Sequence, residues 1–471
     1  MQVQENKFLS NLSPLERFLR LFARVKANEG VTSLLLLTNI FLILTAYYCI
    51  KPVREGWLSV SVISDWSKLE VKAYSAFVQS LLLLAILPLY ATVATVLKRR
   101  SLITATGLVS GGLMVLFWLL QPGFLAEQIP YAGVAFYIFV GIFSVTLVAQ
   151  FWSFASDLYG QQKGKRLFPL VAIGASAGGV VGSWAGSHLV KLPFWDSYDL
   201  ILLALLPLGA AVMLARWIDK RGSGDEAKVE LEKRREEPAV PESEGAYATI
   251  LRHRYLMATA MMVMLFNWVV ASGDNILFGL VQQAITDELT GTVEAVQLNR
   301  QITAVTTAFY SDLYFWINLI GLLLQSFVVS RLVQLGGFGL LIMTTPVISL
   351  TAYLSMAMAP MIGIIKFMKV AENSSNYSIH NTARHMLWLP TNTAMLYQAK
   401  TTIETLFYRL GDGLAALTVL FGTRFWRFTL NEFLIFNVIL CGLWVVISIY
   451  LYREYKVWSR TDFDEPIRAS N

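Results

Sequence analysis

The chain has 471 residues, 55% of them hydrophobic and only 15% charged, with a mean hydropathy of +0.54. Such a balance excludes an ordinary soluble domain and points to a multispanning membrane protein. The net charge of +6 does not indicate a nucleic-acid partner, because the basic residues sit in short runs between apolar segments, where membrane topology requires them. Cys49 and Cys441 both lie inside apolar segments, so neither a disulfide framework nor a cysteine-based metal motif is expected.

Taken in order, residues 1–30 are polar and include Glu5 and Glu16. They fit neither a signal peptide nor an acid-poor transit peptide, and are read as a cytoplasmic N-terminal segment. A hydrocarbon core of about 30 Å requires about 20 helical residues. On that measure six spans are expected near 31–50, 73–97, 101–121, 131–156, 167–190 and 198–217. The segment KRGSGDEAKVELEKRREEPAVPESEG (220–245) has no apolar face and contains Pro238 and Pro241, so 218–250 is read as a solvated linker. Six further spans are expected near 254–279, 312–333, 337–357, 359–376, 402–421 and 431–452, before a tail at 454–471. With the N-terminus inside, 27 of the 38 Lys and Arg residues fall on the inner side and eight outside, which places both termini and the linker in the cytoplasm.

Six spans, a linker and six spans predict an all-α membrane protein of twelve transmembrane helices, in two six-helix halves at 31–217 and 251–453. This is the arrangement of the major facilitator superfamily, with a substrate path between the halves near the bilayer midplane. In IGASAGGVVGSWAG (173–186), Gly174, Gly178, Gly182 and Gly186 fall on one helical stripe. That stripe predicts close helix packing, and no Gly-Lys-Ser/Thr follows to make a P-loop.

Charges inside spans are the candidate functional residues, because an ionised group at the centre of a span costs at least about 2.5 kcal/mol on insertion scales. In YYCIKPVREGW (47–57), just past the first expected span, Lys51, Arg54 and Glu55 either anchor the helix end at the outer interface or, if the helix continues through Pro52, share one side and face a polar site. In MIGIIKFMKVAENSSNYS (361–378), Lys366, Lys369 and Glu372 are each three apart. They form either a substrate-facing stripe or a structural ion pair. In the eleventh span Arg409 and Asp412 are three apart and suit an internal pair, although the Arg fork also fits phosphate or carboxylate. Asp274 lies near the expected outer end of the seventh span and Asp157 at the end of the fourth, both positions typical of helix boundaries. His188, His253, His380 and His385 are scattered without metal spacing, and the serines lack a nucleophile elbow. No enzyme, metal or cofactor is expected.

The stretches FWSFASDLYGQQKGKRLFPLVAIGASAGGVVGS (151–183), NLIGLLLQSFVVSRLV (318–333), NTARHMLWLPTNTAMLYQAKTTIETLFYRLGDGLAAL (381–417) and TAYYCIKPVREGW (45–57) resemble the nucleotide transporter family of ATP:ADP antiporters, a distant branch of the major facilitator superfamily. The resemblance implies a twelve-helix alternating-access carrier, ATP/ADP exchange in the characterised branch, and a nucleotide-holding lysine at the position of Lys51. Where that family pattern continues with Asp and Thr, this chain has Pro52 and Val53.

The leading expectation is a secondary transporter of an organic anion, with a nucleotide the first candidate. Lys51, Arg54, Lys366, Lys369 and Arg409 would engage the substrate, and Glu55, Asp274, Glu372 and Asp412 would balance them in its absence. A carrier of a different substrate on the same fold and a non-transporting scaffold or sensor are the alternatives. The expected partners are a small anion and the lipid bilayer, with no nucleic acid; a monomer in a bacterial plasma membrane fits these features.

Overall fold

The computed structural model describes residues 13–20, 25–97, 99–222, 246–289, 295–391 and 399–468, and among them every regular element is helical. The principal helices of the first part are α1 (Gly30–Val60), α2 (Lys68–Val96), α3 (Arg99–Leu125), α4 (Ala132–Leu189) and α5 (Asp199–Gly222). Those of the second are α6 (Arg254–Glu288), α7 (Ala295–Leu323), α8 (Val329–Met358), α9 (Ile362–Ser375), α10 (Asn381–Met386), α11 (Tyr408–Arg424) and α12 (Leu430–Arg468). Three π-helical turns, Leu324–Val328, Asn376–His380 and Ile403–Phe407, join or introduce helices in this part.

Nine stretches among the described residues are long and apolar enough to cross a bilayer. One, Ala295–Met358, has the length of two crossings and breaks at Gly337, whose φ of 58° is open to glycine and strained for a side chain. The expected spans at 359–376 and 402–421 are also helical, as α9 with its π turn and α11, but their charges lower their hydropathy.

Several boundaries differ from the sequence reading. α1 does not stop at Ile50 but runs through Pro52 to Val60, and α7 begins at Ala295, well before residue 312. α9 does not end at Asn376; it passes through a π turn into α10 and reaches Met386. α12 runs to Arg468, so most of the expected tail is helical. The reason is common to all four. Hydropathy marks the lipid-facing part of a helix, whereas a helix buried in protein or projecting into water has no need to be apolar. Residues 223–245, most of the expected linker, lie outside the described residues.

Contacts divide the chain into two compact units. The first contains α1, residues 86–96 of α2, α3, α4, α5 and residues 295–319 of α7. Although α4 is helical on both sides of Asp157, its contacts with α1 reverse direction along the chain. Tyr137 and Phe136 meet Arg54 and Trp57, Tyr159 donates to Ser33 Oγ at 2.9 Å, and Arg166 then pairs with Glu29 at 2.8 Å. Beyond that turn Gly174, Gly178 and Gly182 lie against Leu37, Phe41 and Thr45. The two arms of α4, Ala132–Tyr159 and Arg166–Leu189, therefore run in opposite directions along α1.

The glycine stripe is what permits the second arm to sit so close. A Cβ at Gly174, Gly178 or Gly182 would overlap the backbone carbonyl oxygens of Leu37, Phe41 and Thr45 in turn, each one helical turn apart. Near Val60, Trp57 is fully buried, stacked on Phe124 at 4.7 Å and tilted against Phe136 at 4.8 Å. At the opposite end of α1, Arg99 binds Asp219 at 2.5 Å and Asp157 at 3.5 Å. Asp157, near the end of the first arm of α4, is thus also a member of an ion cluster.

The second unit contains residues 61–85, α6, residues 320–323, and α8 to α12. Its axis is α6, the most buried of the apolar helices. The backbone of α11 approaches α6 at Gly411, where a Cβ would meet Met264 O and Trp268 N. Asn267 donates to Tyr408 O at 2.7 Å, Trp268 to Thr418 Oγ1 at 2.9 Å, and Asn437 of α12 to Val269 O at 3.2 Å. These bonds give α6 polar adhesion that lipid cannot compete for. α2 starts with a reciprocal Ser67–Glu70 cap, and Glu70 also accepts from Arg424 at 2.7 Å, which ties the start of α2 to the end of α11. Leu108, Leu206, Met213, Leu354, Ile439 and Val446 are exposed on the outer surfaces of helices, as lipid contact requires.

Two outcomes follow from the first unit. Gly178→Leu is expected to destabilise the detergent-solubilised protein by about 1–3 kcal/mol or more through overpacking, whereas Gly112→Leu, with nothing within 4 Å, is expected to leave its melting temperature unchanged. Equal melting curves for both variants would contradict the packing role. Burial raises the carboxyl of Glu29, but hydrogen bonds from Arg166 and the Lys26 backbone outweigh it and hold the group below its ordinary 4.5. Its contribution to stability is therefore present above pH 4.5 and lost as pH falls through the depressed value. Acid titration of Glu29→Gln should show a smaller loss of melting temperature in that window than wild type.

Candidate functional site

Lys51, Arg54 and Glu55 lie where α1 passes through Pro52, deep in the first unit. Lys51 is 7% exposed and Glu55 fully buried. The Lys51 ammonium stands 3.9 Å from the Tyr314 ring centre, 5.0 Å from Tyr48 and 5.7 Å from Tyr47. Arg54 donates through Nε to Glu55 Oε1 at 3.1 Å and lays its guanidinium over the Tyr137 ring at 4.6 Å. The turn therefore carries two cations and one carboxylate inside an aromatic cage. Ring faces attract a cation through their quadrupole, so the cage helps to hold the ammonium away from water.

A second group of charges gathers in the second unit, where α9 faces α6. Lys369, 1% exposed, binds Glu372 Oε2 at 2.6 Å and Asp274 Oδ1 at 3.2 Å. Tyr353 of α8 donates to Glu372 at 2.9 Å and accepts from Lys369 at 3.3 Å. Gly273 makes room for this group, because a Cβ there would overlap the Tyr353 hydroxyl. Asp274 lies well inside α6, not at a helix end as its sequence position implied, and its side chain is 50% exposed. Beyond Gly279, α6 runs on to Glu288 with Val281, Gln282 and Ile285 buried and its last turn, from Thr286 to Glu288, exposed. Lys366, one turn earlier on α9, is half-buried.

Arg409 and Asp412 form the i,i+3 pair at 3.2 Å, and Asp412 also accepts from Ser80 at 2.5 Å and Asn267 at 2.7 Å. With three donors Asp412 is a well-satisfied acceptor that joins α2, α6 and α11. Of the second unit's expected residues, the fold brings Lys369, Glu372 and Asp274 into one cluster, and holds Arg409 with Asp412 in another.

Beside the Lys369 cluster lies a cavity of about 390 Å³. Its wall includes Asp274, Asn373, Asn376, His380, Arg384 and Tyr408. Apart from Asp274, the sequence reading assigned none of these, and it also missed Tyr47, Tyr48, Tyr314 and Tyr353. The signal available was the run ENSSNYSIHN, 372–381, too polar for a lipid-facing helix. It was cut at residue 376 by the expected span boundary. The tyrosines carried no signal, since aromatic residues are common throughout the chain and only folding selects those around Lys51. His380 has no metal-binding set around it, and no cluster of metal ligands occurs among the described residues.

The chain matches the TLC ATP/ADP transporter family over residues 128–455, more than half of its length. Comparison with curated proteins finds no match. Among solved structures, a POT family transporter in complex with 5-aminolevulinic acid is similar, with a TM-score of 0.59 and 11% identity over 91% of this chain and 96% of that one. The nucleoside transporter NupG is similar with a TM-score of 0.55 and 12% identity over 90% of this chain and 99% of that one. At such identities these two likenesses speak for the fold alone. Together with the spans, they give the protein an all-α, multi-pass membrane fold of major-facilitator type, and the family match supplies its role as a transporter: the chain belongs to the TLC ATP/ADP transporter family.

Proposed function

We propose that the protein carries an organic anion by alternating access, and that the anion is a nucleotide, with ATP/ADP exchange the leading activity. The observation that carries this reading is the turn of α1 that sets Lys51 and Arg54, beside Glu55, among tyrosine rings inside the protein. A desolvated cation attracts an anion far more strongly than one in water, and phosphate or carboxylate groups are the natural complement. Membership of the family supports the nucleotide as that anion.

In this reading Lys51, Arg54, Lys366 and Lys369 meet the charged groups of the substrate and Arg409 acts as clamp or gate. Glu55, Asp274, Glu372 and Asp412 hold those cations when the site is empty. Substrate binding exchanges internal ion pairs for pairs with the ligand, and so lowers the barrier between the two access states. The basic bias of the inner loops supports cytoplasmic termini.

Proteoliposomes loaded with ADP are expected to take up labelled ATP faster than empty ones. Lys51→Gln should lower that exchange about 10- to 100-fold, the loss of one charge-assisted contact of roughly 1.5–3 kcal/mol, with Lys51→Arg retaining part of it; Lys366→Glu should abolish nucleotide binding. No ATP or ADP exchange and no thermal stabilisation of wild type by either nucleotide would overturn the substrate assignment. Lys369 is the poorer first target. Lys369→Gln leaves Glu372 and Asp274 without their ammonium and is expected to cost on the order of 3–5 kcal/mol of stability, measurable as a fall in melting temperature.

A further inference from the structure

The cavity beside Lys369 has a wall unlike the rest of the second unit. Asn376 is 5% exposed and His380 2% exposed, yet both amide atoms of Asn376 and both ring nitrogens of His380 lack a hydrogen-bond partner. Arg384 Nε is likewise buried and unpartnered. Buried polar atoms are almost always paired, so these form a set of bonds that something entering the cavity completes. Asn376 and His380 open and close the π turn, whose wider winding places residues four apart on one side. His380 is fixed there by a parallel contact with Phe266 at 4.1 Å and an edge contact with Trp444 at 5.4 Å.

We propose that this cavity is the base subsite, in which Asn376 and His380 read the edge of an uncharged, planar heterocycle. The proposal rests on the nucleotide reading above and deepens it. A carboxamide presents a donor and an acceptor side by side, the pattern that matches two neighbouring polar atoms of a purine edge. A neutral imidazole adds one donor and one acceptor more. Tyr408 also lines the cavity, and stacking on an aromatic ring tolerates any base. A volume of about 390 Å³ lies within the range of pockets that enclose small organic ligands. The wall holds one carboxylate, Asp274, and one guanidinium, Arg384, so it is suited to a neutral group rather than to a polyphosphate. Asp274 also binds Lys369, and a base seated here thereby touches the ion cluster directly.

Affinities of the purified full-length protein for ADP, adenosine and pyrophosphate test this. Wild type is expected to bind all three, adenosine and pyrophosphate more weakly than ADP. Asn376→Leu and His380→Phe should each weaken ADP and adenosine at least tenfold and leave pyrophosphate unchanged. Because the two side chains make no internal hydrogen bonds, the ligand-free melting temperature of both variants should match wild type or exceed it. Retained ADP and adenosine affinity in both variants overturns the base subsite, as does an equal loss for all three probes. Wild type that binds neither ADP nor adenosine overturns the nucleotide reading itself, a result seen before any variant is made.

Discussion

Lipid offers Lys369 no solvent, and everything around that ammonium is arranged to replace the water it lacks. Glu372 and Asp274 bring charge, the Tyr353 hydroxyl bridges, and Gly273 withholds a side chain so that the hydroxyl can stand beside α6. Removing any one member strands the others, because an unpaired buried charge is far more costly than a pair. The same constraint shapes the first unit by a different chemistry. There Lys51 lies against ring faces and Arg54 against Tyr137, so aromatic quadrupoles share the load that carboxylates carry in the second.

Charged helices are tolerable only if the rest of each unit packs tightly enough to keep lipid out. Outside water there is little hydrophobic attraction between helices, and close backbone approach takes its place. The stripe Gly174, Gly178 and Gly182 against Leu37, Phe41 and Thr45 does this in the first unit, holding the helix that bears Lys51. In the second, Gly411 at Met264 plays the corresponding part, reinforced by Asn267 and Asn437 reaching backbone carbonyls. Packing and charge are therefore one problem: the helices that approach most closely are those that carry ionised groups.

The π turn Asn376–His380 forms part of the wall of the polar cavity, and the π turn Ile403–Phe407 immediately precedes Tyr408, another wall residue. A π turn loosens the regular ladder and redirects side chains, and it persists only where surrounding contacts hold it. Here Phe266 and Trp444 pin His380, so the irregular backbone is supported by a rigid aromatic wall. Rigid support with open hydrogen-bonding capacity is the combination expected of a recognition surface.

Much of this was legible in the sequence. Composition and span length dictated a many-helix membrane protein, because a bilayer admits few ways to satisfy a backbone and each helix must be apolar over its lipid-facing length. Glycine spacing announced a packing stripe, and rare charges in spans singled out Lys369, Glu372 and Arg409, since such charges are too costly to occur without a partner or a purpose, while Lys51 stood just past an expected span end. What sequence could not supply was which groups meet. Three-residue spacing pairs Lys369 with Glu372, but Asp274 joins them from a helix almost a hundred positions away, and Tyr314 reaches Lys51 from still further along the chain. Helix ends were also out of reach, because burial by protein, or at the end of α6 projection into water, lets α1, α6 and α9 continue past the point where hydropathy fails. The polar cavity was decided by tertiary structure alone: local periodicity records which side of a helix a residue occupies, and only packing decides what stands opposite.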